Sequence, residues 1–248
     1  MDSDIYDIIR RLAARYETPD FLPADPSHFM HEVEGEHNRE TTAFIASCLS
    51  YGSRKQFFPK IQYVIDSAHG EVHRWVADRA FAADIPDEDR CYYRLYTFHD
   101  MYVMLSALAD MIDTYGSIGG YVERNALDGY KAVCALCRYF AEKGASAIIP
   151  KDARSACKRV CMFLRWMVRD GSPVDLGLWS SFIDKRTLIM PMDTHVVHEA
   201  CRMGLLQSRS ASMSAARKLT ARMLEIFPDD PLRGDFALFG YGVDEHRK

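Results

Sequence analysis

Residues 189–206, "IMPMDTHVVHEACRMGLL", pass from an apolar stretch that contains Pro191 into a segment with helical periodicity. Asp193 stands at the point of change, where an N-cap residue is expected, because its carboxylate can accept a hydrogen bond from an early helix amide. A cap needs no further function. The alternative is that this carboxylate performs chemistry, and the rest of the chain bears on which role applies.

Helical periodicity also dominates on both sides of this stretch. Apolar residues in 5–16 recur at i, i+3, i+4 and i+7. Thr97 and Asp100 resemble a capping box that opens a long helix, and Gly116 is placed to end it. No run alternates convincingly between apolar and polar residues. We therefore predict an all-α fold of about ten helices joined by short loops.

The same signals place the other predicted helices and suggest two lobes. The segments with helical patterns and end signals are 39–52, 57–70 with Pro59 in its first turn, 125–144, 153–171, 193–204, 212–228 and 230–242. We expect one domain over residues 1–248, with a first lobe at about 40–145 and a second formed by 1–37 and 146–248.

Composition excludes several classes of protein. Of the 248 residues, 48% are apolar and 27% charged, which is ordinary for a soluble globular protein and too apolar for disorder. No apolar run approaches the ~20 residues of a membrane span. The N-terminus lacks the apolar core of a signal peptide, so we expect a cytoplasmic protein with no membrane partner and seven reduced cysteines.

The cysteine pairs raise the question of a metal site. Cys134-x2-Cys137 and Cys157-x3-Cys161 have spacings that loosely mimic a four-cysteine zinc site. Each pair lies inside a helical apolar pattern without the turn that a zinc knuckle requires. We therefore expect neither a metal nor a cofactor.

Charge is distributed unevenly although the net charge is −4. Residues 151–169 hold six cations against one acid, 202–222 hold five cations and no acid, and 41–65 hold three cations and no acid. These segments would form one positive, DNA-binding face if the fold brings them together, and otherwise they are ordinary solvated helix faces.

Five segments together resemble the helix-hairpin-helix DNA glycosylase superfamily, over about residues 38–242. They are "FIASCLSYGSRKQ" (44–56), "KRVCMFLRWMVR" (158–169), "VDLGLW" (174–179), "PMDTHV" (191–196) and "DFALFG" (235–240). The pattern is most similar to a bacterial family of unassigned function within it, and also resembles the archaeal 8-oxoguanine DNA glycosylase branch. Two departures are a hairpin segment, "IIPKDARSACK" (148–158), without glycines, and a Lys158–Asp193 spacing of 35 residues.

The resemblance implies a function and its catalytic residues. Asp193 would be the catalytic carboxylate and Lys158 the Schiff-base nucleophile of a base excision repair enzyme, a glycosylase with abasic-site lyase activity. Its expected partner is double-stranded DNA with a damaged base, such as an oxidised purine, or an abasic site, bound in a cleft between the lobes. We expect a monomer that associates with the nucleoid when bound to DNA.

The resemblance also implies substrate contacts. Asp235, Phe239 and Met162 would line the pocket for the flipped base, where an acid four residues before an aromatic ring can bind a purine edge and face. The alternative for Asp235 is a structural acid beside a core Phe. The expected DNA contacts are Tyr51, Arg54, Lys55, Arg159 and His195. Trp166 and Trp179 are expected in the core.

The chemistry explains why these residue types would be needed. Breaking an N-glycosidic bond develops positive charge on the deoxyribose, which a carboxylate stabilises. A lysine must be neutral to attack C1′, and Arg154, Arg159 and the following apolar run would favour the neutral amine of Lys158. Two alternatives remain open: a non-catalytic protein that recognises unusual DNA structure, and a helical protein-interaction module with acidic partners.

Overall fold

The structure, a computed structural model, describes residues 2–245, and the predicted all-α class is confirmed: helices dominate this part of the chain. The α-helices are α1 (Asp2–Tyr16), α2 (Glu36–Leu49), α3 (Arg54–Ser67), α4 (Val72–Ala77), α5 (Phe81–Asp84), α6 (Phe98–Tyr115), α7 (Ile118–Asn125), α8 (Gly129–Glu142), α9 (Lys158–Val168), α10 (Thr194–Arg202), α11 (Met213–Ile226) and α12 (Arg233–Glu245). Short 3-10 helices lie at Pro19–Ala24, Pro26–His31 and Lys185–Thr187. Within residues 2–245, none of the helices combines the length and apolar composition that crossing a membrane requires.

A small β-hairpin corrects the expectation of an entirely helical chain. Strands β1 (Cys91–Tyr93) and β2 (Tyr96–Thr97) pair antiparallel. The turn between them contains Arg94, whose φ of 55° lies in the left-handed region, and Leu95. Strands of two and three residues are too short to show an alternating pattern, so they could not be predicted from the sequence.

Helix α6 confirms the predicted capping box. The Thr97 hydroxyl accepts the Asp100 amide at 3.1 Å, and the Asp100 carboxylate accepts the Thr97 amide at 2.8 Å. At the other end, Gly116 has a φ of 82°, a conformation that glycine adopts without strain. Both ends of this helix are therefore determined by residues within one turn of them.

Several helix boundaries differ from the predicted ones. Helix α3 begins at Arg54, so Pro59 lies inside the helix and not in its first turn. Helix α9 begins at Lys158 instead of residue 153, because Cys157 before it has a left-handed φ of 46°. The short helices α4, α5 and α7 were not predicted, since a segment of four to eight residues carries too little periodicity to be recognised.

The chain divides into two compact units. Unit 1 comprises residues 1–25, 127–133 and 153–248, and unit 2 comprises 26–126 and 134–152; residues 2–245 of these are described. The bounds differ from the predicted lobes in three places. Residues 26–37 and 146–152 group with the unit that contains α2 to α7, and residues 127–133, which include the start of α8, group with the unit that contains α9 to α12.

A buried acid in α2 links two helices of unit 2. The Glu40 side chain accepts the backbone amides of Ile118 and Gly119, both at 2.9 Å, at the first turn of α7. A carboxylate at this position satisfies amides that have no partner within the helix and interacts favourably with the helix dipole. This contact explains why a charged residue is 4% exposed in the middle of α2.

Close packing of α1 and α10 against α12 organises unit 1. A Cβ atom on Gly240 would lie 2.3 Å from Tyr16 Cγ of α1, and one on Gly242 would lie 2.8 Å from His195 Cβ of α10. Both distances are shorter than side chains tolerate, so these glycines permit the helices to approach. The first turn of α10, which carries Asp193 at its N-cap, is thereby held against α12.

Candidate functional site

Two helix starts in unit 1 bring together the two residues predicted to be catalytic. Lys158 is the first residue of α9, and Asp193 is the N-cap of α10. The Lys158 Nζ lies 2.7 Å from Asp193 Oδ2, a charge-assisted hydrogen bond. Thirty-five residues separate them in sequence, so this contact is a product of the tertiary fold.

Asp193 uses its two carboxylate oxygens for different tasks. Oδ1 accepts the backbone amide of His195 at 2.9 Å, which confirms the predicted N-cap. Oδ2 accepts the ammonium of Lys158. Capping and contact with a nucleophile are therefore compatible, because each requires only one oxygen.

The electrostatics of the pair favour an ionised carboxylate. Burial alone raises the pKa of Asp193, but the charge and hydrogen bond of Lys158 and the His195 amide outweigh it, so the pKa lies below its usual range. The side chains are 34% and 19% exposed for Lys158 and Asp193, so both remain accessible to solvent. The pair can hold a proton between an amine and a carboxylate at a partly open position.

Further along α9, two arginines enter a second and very different group of charges. We call it the buried ion network; it comprises Glu17, Arg165, Arg169, Asp175, Asp230, Arg233 and Asp235. Arg169 is 1% exposed and binds three carboxylates, with Nη2 2.5 Å from Glu17 and 2.7 Å from Asp230. The burial of Arg169 and its three carboxylate partners indicate a structural role.

Asp235, predicted to contact the substrate base, belongs to this network. It is buried and accepts a short hydrogen bond from Arg165. Burial, together with the neighbouring charges of Asp193 and Asp175, raises the pKa of Asp235 to about 6 against the attraction of Arg165. The network has four carboxylates for three guanidinium groups, and this excess of negative charge favours the protonated form of a buried acid. The structure thus gives Asp235 an internal partner, in agreement with its structural alternative.

The other predicted pocket residues are distributed around the Lys158–Asp193 pair. Met162 lies one turn after Lys158 on α9 and is buried. Phe239, half-buried on α12, meets the His195 ring edge-on with centroids 5.9 Å apart. Arg159, the next residue of α9 after Lys158, is half-buried. Phe239, His195 and Asp193 thus connect α12 to the start of α10.

Three predicted DNA contacts, Tyr51, Arg54 and Lys55, lie in unit 2 at the end of α2 and the start of α3. Tyr51 is 39% exposed, and the Arg94 guanidinium lies 4.8 Å from its ring centroid. Next to Arg94 at the tip of the hairpin, Leu95 is 77% exposed. Neither tip residue was predicted from the sequence. The one available signal was a cation and a leucine between the aromatic residues of "YYRLYTF" (92–98).

The remaining sequence expectations concern the core and the cysteines. Trp166 and Trp179 are buried, which confirms their prediction as core residues. The seven cysteines, all in the described part of the chain, are free thiols. Among residues 2–245, no group of three or more His, Cys, Asp or Glu side chains is arranged to hold a metal ion.

Comparison with known proteins gives one match. A family model described as "Protein of unknown function (DUF2400)" matches residues 25–244. No curated protein and no solved structure matches the chain.

Proposed function

We propose the following function for this chain, which belongs to the DUF2400 family of proteins of unknown function: it is a DNA glycosylase that excises a damaged base and cleaves the abasic site through a lysine Schiff base. The observation that carries the proposal is the 2.7 Å contact between Lys158 Nζ and Asp193 Oδ2. The resemblance of the sequence to helix-hairpin-helix glycosylases supplies the reaction class, and the contact supplies a nucleophile with an adjacent proton acceptor.

In this mechanism, Asp193 first accepts a proton from the Lys158 ammonium. Coulomb attraction within the pair stabilises the charged lysine, so this transfer requires the displacement that an entering sugar would cause. The neutral amine attacks C1′ as the bond to the base breaks, and the base leaves with the bonding electron pair and takes the proton that Asp193 had accepted. The regenerated Asp193 carboxylate stabilises the positive charge that develops on the sugar. It then accepts a proton from the nitrogen bound to C1′ and returns it to the ring oxygen as the bond between that oxygen and C1′ breaks, which leaves a protonated imine on the open sugar.

The surrounding residues receive roles that follow from their positions. Phe239 and Met162 are assigned to the flipped base, because Met162 lies one turn after Lys158 on α9 and Phe239 contacts His195 at the start of α10. Asp235 is left to its ion pair with Arg165, since contact with a base would break a buried salt bridge.

Contacts with duplex DNA are assigned to exposed or half-exposed cations and rings in each unit. In unit 1 these are Arg159 and His195. In unit 2 they are Tyr51, Arg54 and Lys55, with Arg94 added because its guanidinium stacks on Tyr51.

Borohydride trapping on a duplex with a single abasic site tests the lysine. The wild type is expected to form a covalent adduct, and Lys158→Gln is expected to form none, because the nucleophile is lost. Lys185→Gln is a matched control: Lys185 is in the same unit, is 31% exposed and pairs with Asp170 at 2.6 Å. Undiminished trapping by Lys158→Gln would assign the nucleophile to another amine.

Excision from duplexes that each carry one defined lesion tests the carboxylate. Asn can still cap a helix, so Asp193→Asn is expected to keep the fold while excision falls by about 10²–10³-fold, the usual effect of removing a transition-state electrostatic group. Asp184→Asn is the control, because Asp184 caps the 3-10 helix at Lys185–Thr187 in the same way. Normal excision by Asp193→Asn would leave this residue a cap only.

The alternative is a non-catalytic protein that binds unusual DNA structure. This alternative is favoured by the fact that both carboxylate oxygens of Asp193 already have partners. The Lys158–Asp193 pair would then serve only to hold the starts of α9 and α10 together. In that case no lesion would be excised and no adduct would be trapped, although duplex binding would persist.

A further inference from the structure

Two basic segments of unit 1 that are distant in sequence are joined directly by backbone contacts. Ser155 and Ser212 form an antiparallel bridge, and the Met213 amide donates to the Arg154 carbonyl at 3.3 Å. The turn before α9 therefore runs beside the start of α11. We call the cations around this contact the basic junction; they are Lys151, Arg154, Arg209, Arg217 and Lys218, all exposed.

The junction is electrostatically one-sided. Residues 202–222 contain no acid, and residues 151–169 contain only Asp152. Within residues 2–245, the structure gives Lys151, Arg209 and Lys218 no acidic partner, whereas Arg186 and Arg222, exposed in the same unit, pair with Asp184 and Glu225. Three exposed cations without an acidic partner create a positive potential that attracts an anionic polymer.

We infer that the basic junction binds the sugar–phosphate backbone of the DNA duplex, on the same substrate that the proposed function assigns to Lys158. Lys158 follows Ser155 by three residues, a stretch that spans at most about 10 Å. One strand of duplex DNA rises about 3.4 Å per nucleotide, so Ser155 lies within the length of about three nucleotides of Lys158, and the junction contacts phosphates near the reacting sugar.

The composition of the segment before α9 explains why side chains, and not backbone amides, would bind the phosphates. Residues 148–158, "IIPKDARSACK", contain no glycine, so backbone amides of this turn are less able to approach a phosphate closely. Lysine and arginine side chains extend further and neutralise phosphates without such an approach. The segment of α11 that adjoins the turn contributes Arg217 and Lys218 to the same phosphate contacts. The guanidinium carbon of Arg217 lies 4.9 Å from the ring centroid of Tyr130, which orients this side chain.

The test compares salt dependence of duplex binding between two variants of the full chain. The double variant Arg209→Ala/Lys218→Ala is measured on a short undamaged duplex over a series of salt concentrations. The slope of log K against log salt is negative, and each lost phosphate contact reduces its magnitude by about 0.9, so a reduction in magnitude of roughly 1–2 is expected. Arg222→Ala is the matched control, because Arg222 is exposed on the same helix but pairs with Glu225 at 3.2 Å; its slope should equal that of the wild type.

The outcomes separate this inference from the proposed function. An unchanged slope in the double variant, or an equal reduction in magnitude in Arg222→Ala, overturns the basic junction as a DNA surface even if the wild type traps on abasic DNA. A slope of reduced magnitude supports the junction even if the wild type never traps, which would remove only the catalytic proposal. Polyglutamate serves as the acidic-protein probe, and binding to it in preference to the duplex would overturn the assignment to DNA.

Discussion

The two ends of α9 hold ion pairs built from the same kinds of residue in very different surroundings. At its start, Lys158 pairs with one carboxylate, Asp193, and both side chains remain partly exposed. Two to three turns later, Arg165 and Arg169 lie in the buried ion network with four carboxylates. Charge pairing therefore does not by itself distinguish a reactive site from a structural one.

Burial and the number of partners explain the difference. A buried charge with several partners is costly to disturb, because each partner left behind would be an uncompensated charge in a medium that solvates it poorly. A single, partly exposed pair costs little to open, since water replaces the lost contact. Only the first turn of α9 therefore offers an amine that a substrate can separate from its carboxylate.

The largest effect is expected from removing the cation at the centre of the buried ion network. Arg169→Ala would leave Glu17, Asp175 and Asp230 without their shared partner, and the free energy of unfolding should fall by about 3–5 kcal/mol. Urea denaturation measures this change. Arg186→Ala is the exposed control, expected to stay within about 0.5 kcal/mol. A loss below about 1 kcal/mol for Arg169→Ala would contradict the structural role of the network.

A change of intermediate size in the free energy of unfolding is expected from the titration of Asp235. Its pKa is raised to about 6 in the folded protein, compared with about 3.9 in the unfolded chain. Because the pKa is higher in the folded protein, the stability that protonated Asp235 contributes is fully present below the pKa of the unfolded chain. It is lost as pH rises through the pKa of the folded protein. The stability of the wild type should therefore decline relative to Asp235→Asn between about pH 4 and pH 7, by roughly 1–3 kcal/mol.

Urea denaturation of the wild type and Asp235→Asn at several pH values measures that difference. Subtraction removes the contributions of groups that titrate alike in both proteins, such as Asp110 in unit 2. A constant difference across this range would show that Asp235 stays ionised within the network, and a difference of opposite sign would show that Arg165 lowers its pKa more than burial raises it.

The smallest effect on stability is expected at the start of α9. Lys158→Gln removes a partly exposed pair, so the free energy of unfolding near pH 7 should fall by less than about 1 kcal/mol. The pKa of Asp193 is lowered, so the stability that the pair contributes is present above the unfolded pKa of about 3.9 and is lost as pH falls through the folded pKa. In Lys158→Gln this loss on acidification should be smaller. A loss of several kcal/mol near neutral pH would make the pair structural.

Local signals predicted much of the helical framework. Thr97, Asp100 and Gly116 lie within one turn of the helix ends that they define, and the structure has both ends as expected. The capping role of Asp193 is of the same kind, since its partner is the amide two residues later. The hairpin at Cys91–Thr97 was not predicted from the sequence. Its strands are held by pairing across a turn, and strands of two and three residues are too short to show a periodic sequence pattern.

In the candidate site too, the sequence predicted individual residues, whereas their contacts depend on the tertiary structure. The resemblance selected Lys158 and Asp193, but their contact at 2.7 Å depends on how α9 and α10 pack within unit 1. It also selected Asp235, and there the structure provides Arg165 as a partner that spacing along α12 did not indicate. The exposed tip at Arg94 and Leu95 became evident only when the hairpin placed Arg94 on Tyr51.

The sequence by itself determined the all-α class, most of the helices and the cap on α10, because periodicity and capping act between residues a few positions apart. Only the tertiary structure decided which charge meets which: Lys158 with Asp193 across 35 residues, and Glu40 with the amides of α7 across 78. The physical reason is that a carboxylate can satisfy any nearby donor, and packing of the helices determines which donor is near.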